Sequence, residues 1–199
     1  MDETLKQIVF HYHQAEIPSD QAAYFATETY VRFRQARAEA EQNNQTWLNI
    51  LAEIAQTLPE YAVQDITNLA DNACYEGELL LHENTSFLDD DLELLSQLNN
   101  RRLTLRLLVS VLGPFYYLFI EEQQYNPTTN EHSFTIIDPE TTAQKQIVQQ
   151  IKQTVEQYQY RFLERATLKQ IIPELTTEFQ GVGTVSVFHC LFSDLMNFY

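Results

Sequence analysis

The chain has 199 residues, 28 aspartates and glutamates against 12 lysines and arginines, and a formal net charge of −16. Its 44% apolar and 12% aromatic content is too rich for a disordered acidic chain and long enough to bury one core, so a single folded domain over residues 1–199 is expected. Only 4 glycines occur, which argues against glycine-rich phosphate loops.

The first residues, Met1-Asp2-Glu3-Thr4-Leu5-Lys6, lack the basic and apolar regions of a signal peptide. The longest uncharged apolar run, Leu107 to Ile120, is shorter than the ~20 residues that a spanning helix needs and is interrupted by Gly113-Pro114. With Cys74 and Cys190 read as reduced thiols, the expected setting is the cytoplasm, without membrane contact.

After Pro18, Ser19 reads as a helix cap, and Ala23, Ala26, Tyr30 and Phe33 predict a helix to about Gln42. Asn43-Asn44 breaks it. Trp47, Leu48, Leu51, Ile54, Ala55 and Leu58 form the stripe of a second helix that Pro59 stops, giving an N-terminal helical hairpin. The segment from Tyr61 to Ala73 reads either way. Cys74 to His82 predicts a strand weakened by Gly77. Leu88, Leu92, Leu95 and Leu98 predict a helix with Asp89-Asp90-Asp91 at its positive end and Arg101-Arg102 at its negative end.

Alternation from Leu103 to Leu112 predicts a strand, and Phe115 to Ile120, apolar on both sides, a central one. The turn Asn126-Pro127-Thr128-Thr129-Asn130 leads to a further strand at Ser133–Ile137. Asp138-Pro139-Glu140 reads as the start of a long helix with Ile147, Ile151, Val155, Tyr158 and Phe162 on one face. A short helix ending near Pro173 and a last strand over Thr184–Phe192 complete the prediction. The fold class is α+β: the helical hairpin and the long C-terminal helix pack on a mainly antiparallel sheet of about four to five strands.

The catalytic candidates each have a plainer reading. His11 and His13 share a face only if they lie on a strand, and no third metal ligand is nearby. His189 and Cys190 would point to opposite faces of the expected last strand, so they form no dyad, and Cys190 reads as a buried inert thiol, as does Cys74. Asp89–Asp91 lacks the alternating acids and central glycine of a calcium loop. Glu76 and Glu78 would share a strand face, and Glu121 adjoins Glu122, but with 28 acids near neighbours are expected. Gly181-x-Gly183 reads as a turn. The aromatic run Phe115–Phe119 has no lysine or arginine between Arg106 and Lys145, so it reads as sheet core and nucleic-acid binding is not expected. No catalytic residue, cofactor or metal site is assigned.

One feature has no local explanation. Residues 38–100 contain no lysine or arginine and carry 13 carboxylates, most of the net charge of the chain. Such a field repels polyanions and speeds encounter with a basic protein. With Asp89–Asp91 assigned to a helix start, the acids expected to face a partner are Glu53, Glu60, Asp65, Asp71, Glu76, Glu78 and Glu83. In size, acidity and lack of a catalytic motif the chain resembles the immunity proteins of bacterial toxin systems, which neutralise toxins by direct binding. That resemblance implies a non-enzymatic inhibitor and assigns no residues. The alternatives are a hydrolase with a glutamate–histidine pocket, in which His82, His132 or His189 meets carboxylates, and a structural domain that forms homo-oligomers through the Ile147–Phe162 stripe.

Overall fold

The computed structural model describes residues 1–15, 17, 21–82 and 91–196. Ser19, Glu83, Leu88, Asp89 and Asp90, which entered the expectations above, lie outside the described residues.

Helix α1 (Glu3–Tyr12) is capped by Asp2, whose carboxylate accepts the Leu5 amide at 2.8 Å, and it buries Leu5 and Val9. The helix expected from about residue 19 to Gln42 is two helices, α2 (Ala22–Phe25) and α3 (Glu28–Gln42). Thr27 is the reason for the break. Its hydroxyl donates to the Tyr24 carbonyl at 2.8 Å and accepts the Tyr30 amide at 3.2 Å, closing one helix and capping the next. Helix α4 (Gln45–Thr57) follows the Asn43-Asn44 break as expected. Its buried stripe is Trp47, Ile50, Leu51 and Ile54, rotated so that Leu48 is exposed.

Among the described residues the sheet has six strands. Strands β1 (Val63–Asp65), β2 (Cys74–Leu80), β3 (Arg101–Ser110), β4 (Phe115–Asn126) and β5 (Glu131–Ile137) form an antiparallel meander in chain order. The two-residue β6 (Arg161–Phe162) runs parallel to the start of β4. The α+β class, the mainly antiparallel sheet and the central place of Phe115–Ile120 agree with the sequence.

Between β2 and β3, α5 (Leu92–Gln97) is capped by Asp91, whose carboxylate accepts the Leu94 amide at 2.9 Å. Asn99 and Asn100 adopt left-handed φ values of 55° and 61° and end it, so Arg101 and Arg102 begin β3 instead of closing a helix. Helix α6 (Thr142–Gln157) starts at a capping box between Thr141 and Gln144, not at Asp138-Pro139. Ile147, Ile151 and Val155 are buried on its inner face; Tyr158 caps it and Phe162 belongs to β6.

The last segment differs most from expectation. Helix α7 (Arg165–Leu168) ends before Pro173, and Thr184–Phe192 contains helix α8 (Val187–Leu191) in place of a strand. Ser186 caps α8, in a box with His189 at the third position.

Both sheet faces are covered, which is why β4 is apolar on both. Tyr75, Leu79, Leu105, Leu107, Tyr116, Leu118 and Ile120 pack with the stripes of α4 and α6. Cys74, Leu108, Phe115, Tyr117 and Phe119 pack with Leu5 and Val9 of α1 and with α8. Gly77, in the middle of β2, lets the Trp47 ring lie directly on the strand: an added Cβ would stand 3.0 Å from Trp47 Cη2 and 2.9 Å from Leu51 Cδ2. Among the described residues no helix is long and apolar enough to cross a membrane.

Candidate functional site: an acidic edge and a tyrosine-lined cleft

Strand alternation sets Glu76 and Glu78 on one face of β2, and the register places Arg106 of β3 opposite Glu78. The Arg106 guanidinium lies 3.2 Å from Glu76, 3.8 Å from Glu78 and 3.2 Å from Glu121 of β4. Glu76 and Glu78 are 8% and 5% exposed, so the structure turns them into the sheet and not toward a partner. Burial disfavours the Arg106 cation, but the three carboxylates outweigh it and hold the guanidinium above its ordinary value. For Glu76, burial and the neighbouring Glu121 and Glu78 outweigh Arg106, and its carboxyl is pushed up. This cluster is an ionic joint between three strands.

The remaining acids of the expected site are spread along the β1 side of the sheet. Glu60, Asp65 and Asp71 are exposed, and Glu53 is half-buried. Three have local partners: Glu53 accepts from the Tyr158 hydroxyl at 3.0 Å, Asp65 from the Thr67 amide at 3.0 Å, and Asp71 from the Asn68 side chain at 2.7 Å. No ion pair with lysine or arginine is made by Glu53, Glu60, Asp65 or Asp71 among the described residues. Glu83 lies outside the described residues. The stretch that looked uniform in sequence is thus divided: two acids are held by Arg106, and four lie at the surface or close to it.

Beside this region is the feature that sequence reading missed. A cleft of about 710 Å³ opens between α3, the β3–β4 hairpin and the end of α6. Four tyrosines line it: Tyr12 at the end of α1, Tyr75 on β2, and Tyr158 and Tyr160 after α6. Ala36 and Ala40, one turn apart on α3, form its small-residue wall, and Glu39 is the only charged lining residue among the described ones. The Tyr75 hydroxyl donates to the Ala40 carbonyl at 2.7 Å, while its ring stacks on Trp47 at 5.5 Å and 8°. Gln159 takes a left-handed φ of 67°, which reverses the chain between Tyr158 and Tyr160. Burial raises the Tyr160 and Tyr75 phenols above their ordinary value. Tyrosines from three distant segments leave no spacing signature, and only the tertiary fold collects them.

The fold gives several of the catalytic candidates local structural contacts. His11 lies on α1, while His13 caps its end, is buried, and has its Nε2 2.8 Å from the Cys190 carbonyl. His189 sits in the α8 capping box, its Nδ1 accepting from the Ser186 amide at 3.0 Å. Cys74 and Cys190 are free and buried, and burial raises both thiols. His132 is 3.1 Å from the Gln123 amide nitrogen. Gly181-x-Gly183 forms a turn, with Gly183 at φ 81°. Among the described residues no group of three or more histidines, cysteines or acids is placed to hold a metal ion.

No family model matches this chain, and neither does any curated protein or solved structure.

Proposed function

We propose that the chain is a non-enzymatic, cytoplasmic protein-binding module that recognises a basic protein, in the manner of an immunity protein or inhibitor. One observation supports this reading above the others. A cleft of about 710 Å³ is lined by four tyrosines and one glutamate, with no lysine, arginine or histidine among its described lining residues, and it adjoins the stretch that carries 13 carboxylates.

Such a cleft suits an arginine or lysine side chain. Tyrosine faces attract a cation by about 0.5–2 kcal/mol, most when the cation is desolvated. Arginines that fill well-packed pockets are also frequent anchors of protein interfaces. The exposed Glu60, Asp65 and Asp71 then act at longer range, steering the encounter and losing that influence as salt rises.

The chain carries its own reporter, because Trp47, the only tryptophan, stacks on Tyr75 of the cleft. Titration of Trp47 fluorescence with an oligoarginine peptide at low salt is expected to saturate, and an oligocitrulline peptide of equal length is expected to leave the signal unchanged. Tyr160→Ala and Glu39→Gln should each weaken binding about tenfold, a loss of roughly 1.4 kcal/mol. An absent response, or equal affinity for the uncharged peptide, rejects the cleft as a cation site.

A further inference from the structure

The two edges of the sheet are built differently. At one, β1 is three residues long and places Asp65 on the edge, a charged and short termination that discourages pairing with another chain. At the other, β5 runs for seven residues and holds neither proline nor lysine. Its side chains from Glu131 to Thr135 are exposed, and Phe134 is 50% exposed.

The hydrogen-bonding direction of β5 follows from its neighbour. Tyr116 of β4 accepts the Leu163 amide at 3.0 Å on the side of the strand away from β3. By alternation, Ile120, Glu122 and Gln124 also turn their backbones to that side, where they meet Ile137, Thr135 and Ser133. The backbone groups of His132, Phe134 and Ile136 therefore face outward from the edge.

This edge carries little formal charge for a very acidic chain. Between Glu122 and Asp138 the only formal charge is Glu131. Any partner strand could satisfy the open backbone groups, but two features select a second copy. First, an equally acidic copy meets little local repulsion here. Second, the strand is self-complementary about Phe134. In an antiparallel pair centred on that residue, Phe134 meets Phe134, His132 meets Ile136, Ser133 meets Thr135 and Glu131 meets Ile137 of the other copy. No like charges oppose one another, and an aromatic pair occupies the centre. The two Glu131 side chains end about 20 Å apart, at ~3.4 Å per residue, beyond the ~8 Å screening length at physiological ionic strength.

We infer that β5 is a self-association edge, through which two copies join antiparallel about a two-fold axis at Phe134 to make one continuous sheet. A single strand pair is a small interface, so the dimer belongs to the weak, micromolar class. Its salt response is opposite to that of the acidic cleft, because screening relieves the repulsion between two copies of charge −16.

Sedimentation velocity of the full chain at up to about 100 µM, in low and in high salt, tests this, since that range brackets a micromolar dissociation constant. A dimer that tightens with salt is expected. Phe134→Lys should weaken it at least tenfold, although the substitution makes each copy less negative. Phe134→Cys should form an intermolecular disulfide under mild oxidation, because the paired Cα atoms would lie about 5.5 Å apart; Glu131→Cys should not. A wild-type chain that stays monomeric at both salts overturns the inference. So does a dimer indifferent to Phe134→Lys, or equal cross-linking at positions 131 and 134.

Discussion

Gly77→Ala is a stringent test of the packing between α4 and the sheet. In an unobstructed strand the substitution would favour folding by about 0.5–1 kcal/mol, because alanine has less freedom to lose. Here the new methyl carbon would lie 3.0 Å from Trp47 Cη2 and 2.9 Å from Leu51 Cδ2. The Leu51 methyl can rotate away. The Trp47 ring is held by its stack on Tyr75 and is 1% exposed, so it cannot move without disturbing its neighbours. Overpacking of this kind costs about 1–3 kcal/mol, and the net expectation is a loss of roughly 1–2 kcal/mol. Trp47→Ala alone should cost about 3–5 kcal/mol. With the ring removed, Gly77→Ala should change sign and recover about 0.5–1 kcal/mol, so the double-mutant cycle has a coupling of roughly 2 kcal/mol. Urea unfolding followed by far-ultraviolet circular dichroism measures all four proteins, since fluorescence is lost with the only tryptophan. A neutral Gly77→Ala in the wild-type background, or the same penalty with and without Trp47, would refute the argument.

Two further outcomes follow from buried charge. Arg106→Met should cost about 3–5 kcal/mol at neutral pH, because it leaves Glu76, Glu78 and Glu121 facing one another without a cation. The deficit should shrink in acid as Glu76, whose carboxyl burial pushes up, takes up a proton, so a loss independent of pH, followed by urea titration, would rule out charge as its cause. His13 gives a pH dependence of defined sign. Burial lowers its imidazole from 6.5 to about 4, so between these values the unfolded chain binds the proton and the folded chain does not. Stability is therefore complete above pH 6.5 and falls as pH drops toward 4, by about 3 kcal/mol at 1.36 kcal/mol per pH unit. His13→Gln, whose amide can still donate to the Cys190 carbonyl, should remove that slope relative to the wild type; parallel stability curves from pH 7 to 4 would show that His13 is not its source.

The strands of the sheet were legible because their patterns lie in contiguous sequence, although β3 also buries its interleaved Thr104 and Ser110. Leu103 to Leu112 alternates, Phe115 to Ile120 is apolar on both sides, and both patterns hold whatever lies across from them. Thr184–Phe192 was not legible in this way. A short apolar run fits a buried strand and a buried helical turn equally well, and the deciding signal was the Ser186–His189 capping box, with histidine in a place usually held by glutamate or glutamine. At the start of α6, two cap signals stood side by side. Thr141 won over Asp138-Pro139 because the Gln144 side chain reaches back to the amides of Glu140 and Thr141. The acids show a different limit. That Glu76 and Glu78 share a face follows from spacing alone; that the face is buried depends on Arg106, which strand register brings from a segment about thirty residues away. The tyrosine cleft depends on more segments still.

The acidic stretch and the neutral edge can therefore operate without interfering. Asp65 lies on β1 and Phe134 on β5, at opposite ends of the five-strand meander. At ~4.8 Å between neighbours, four spacings separate the edges by about 19 Å, more than twice the physiological screening length of ~8 Å. Carboxylates along β1 thus add little to the potential at β5 in physiological salt, and a charge placed on one edge is weakly felt at the other. Lowering the salt removes this insulation, because the screening length grows to about 30 Å at 0.01 M and then spans the whole sheet. The two surfaces should accordingly be independent near physiological ionic strength and antagonistic well below it, where the field that draws in a basic partner also drives two copies of the chain apart.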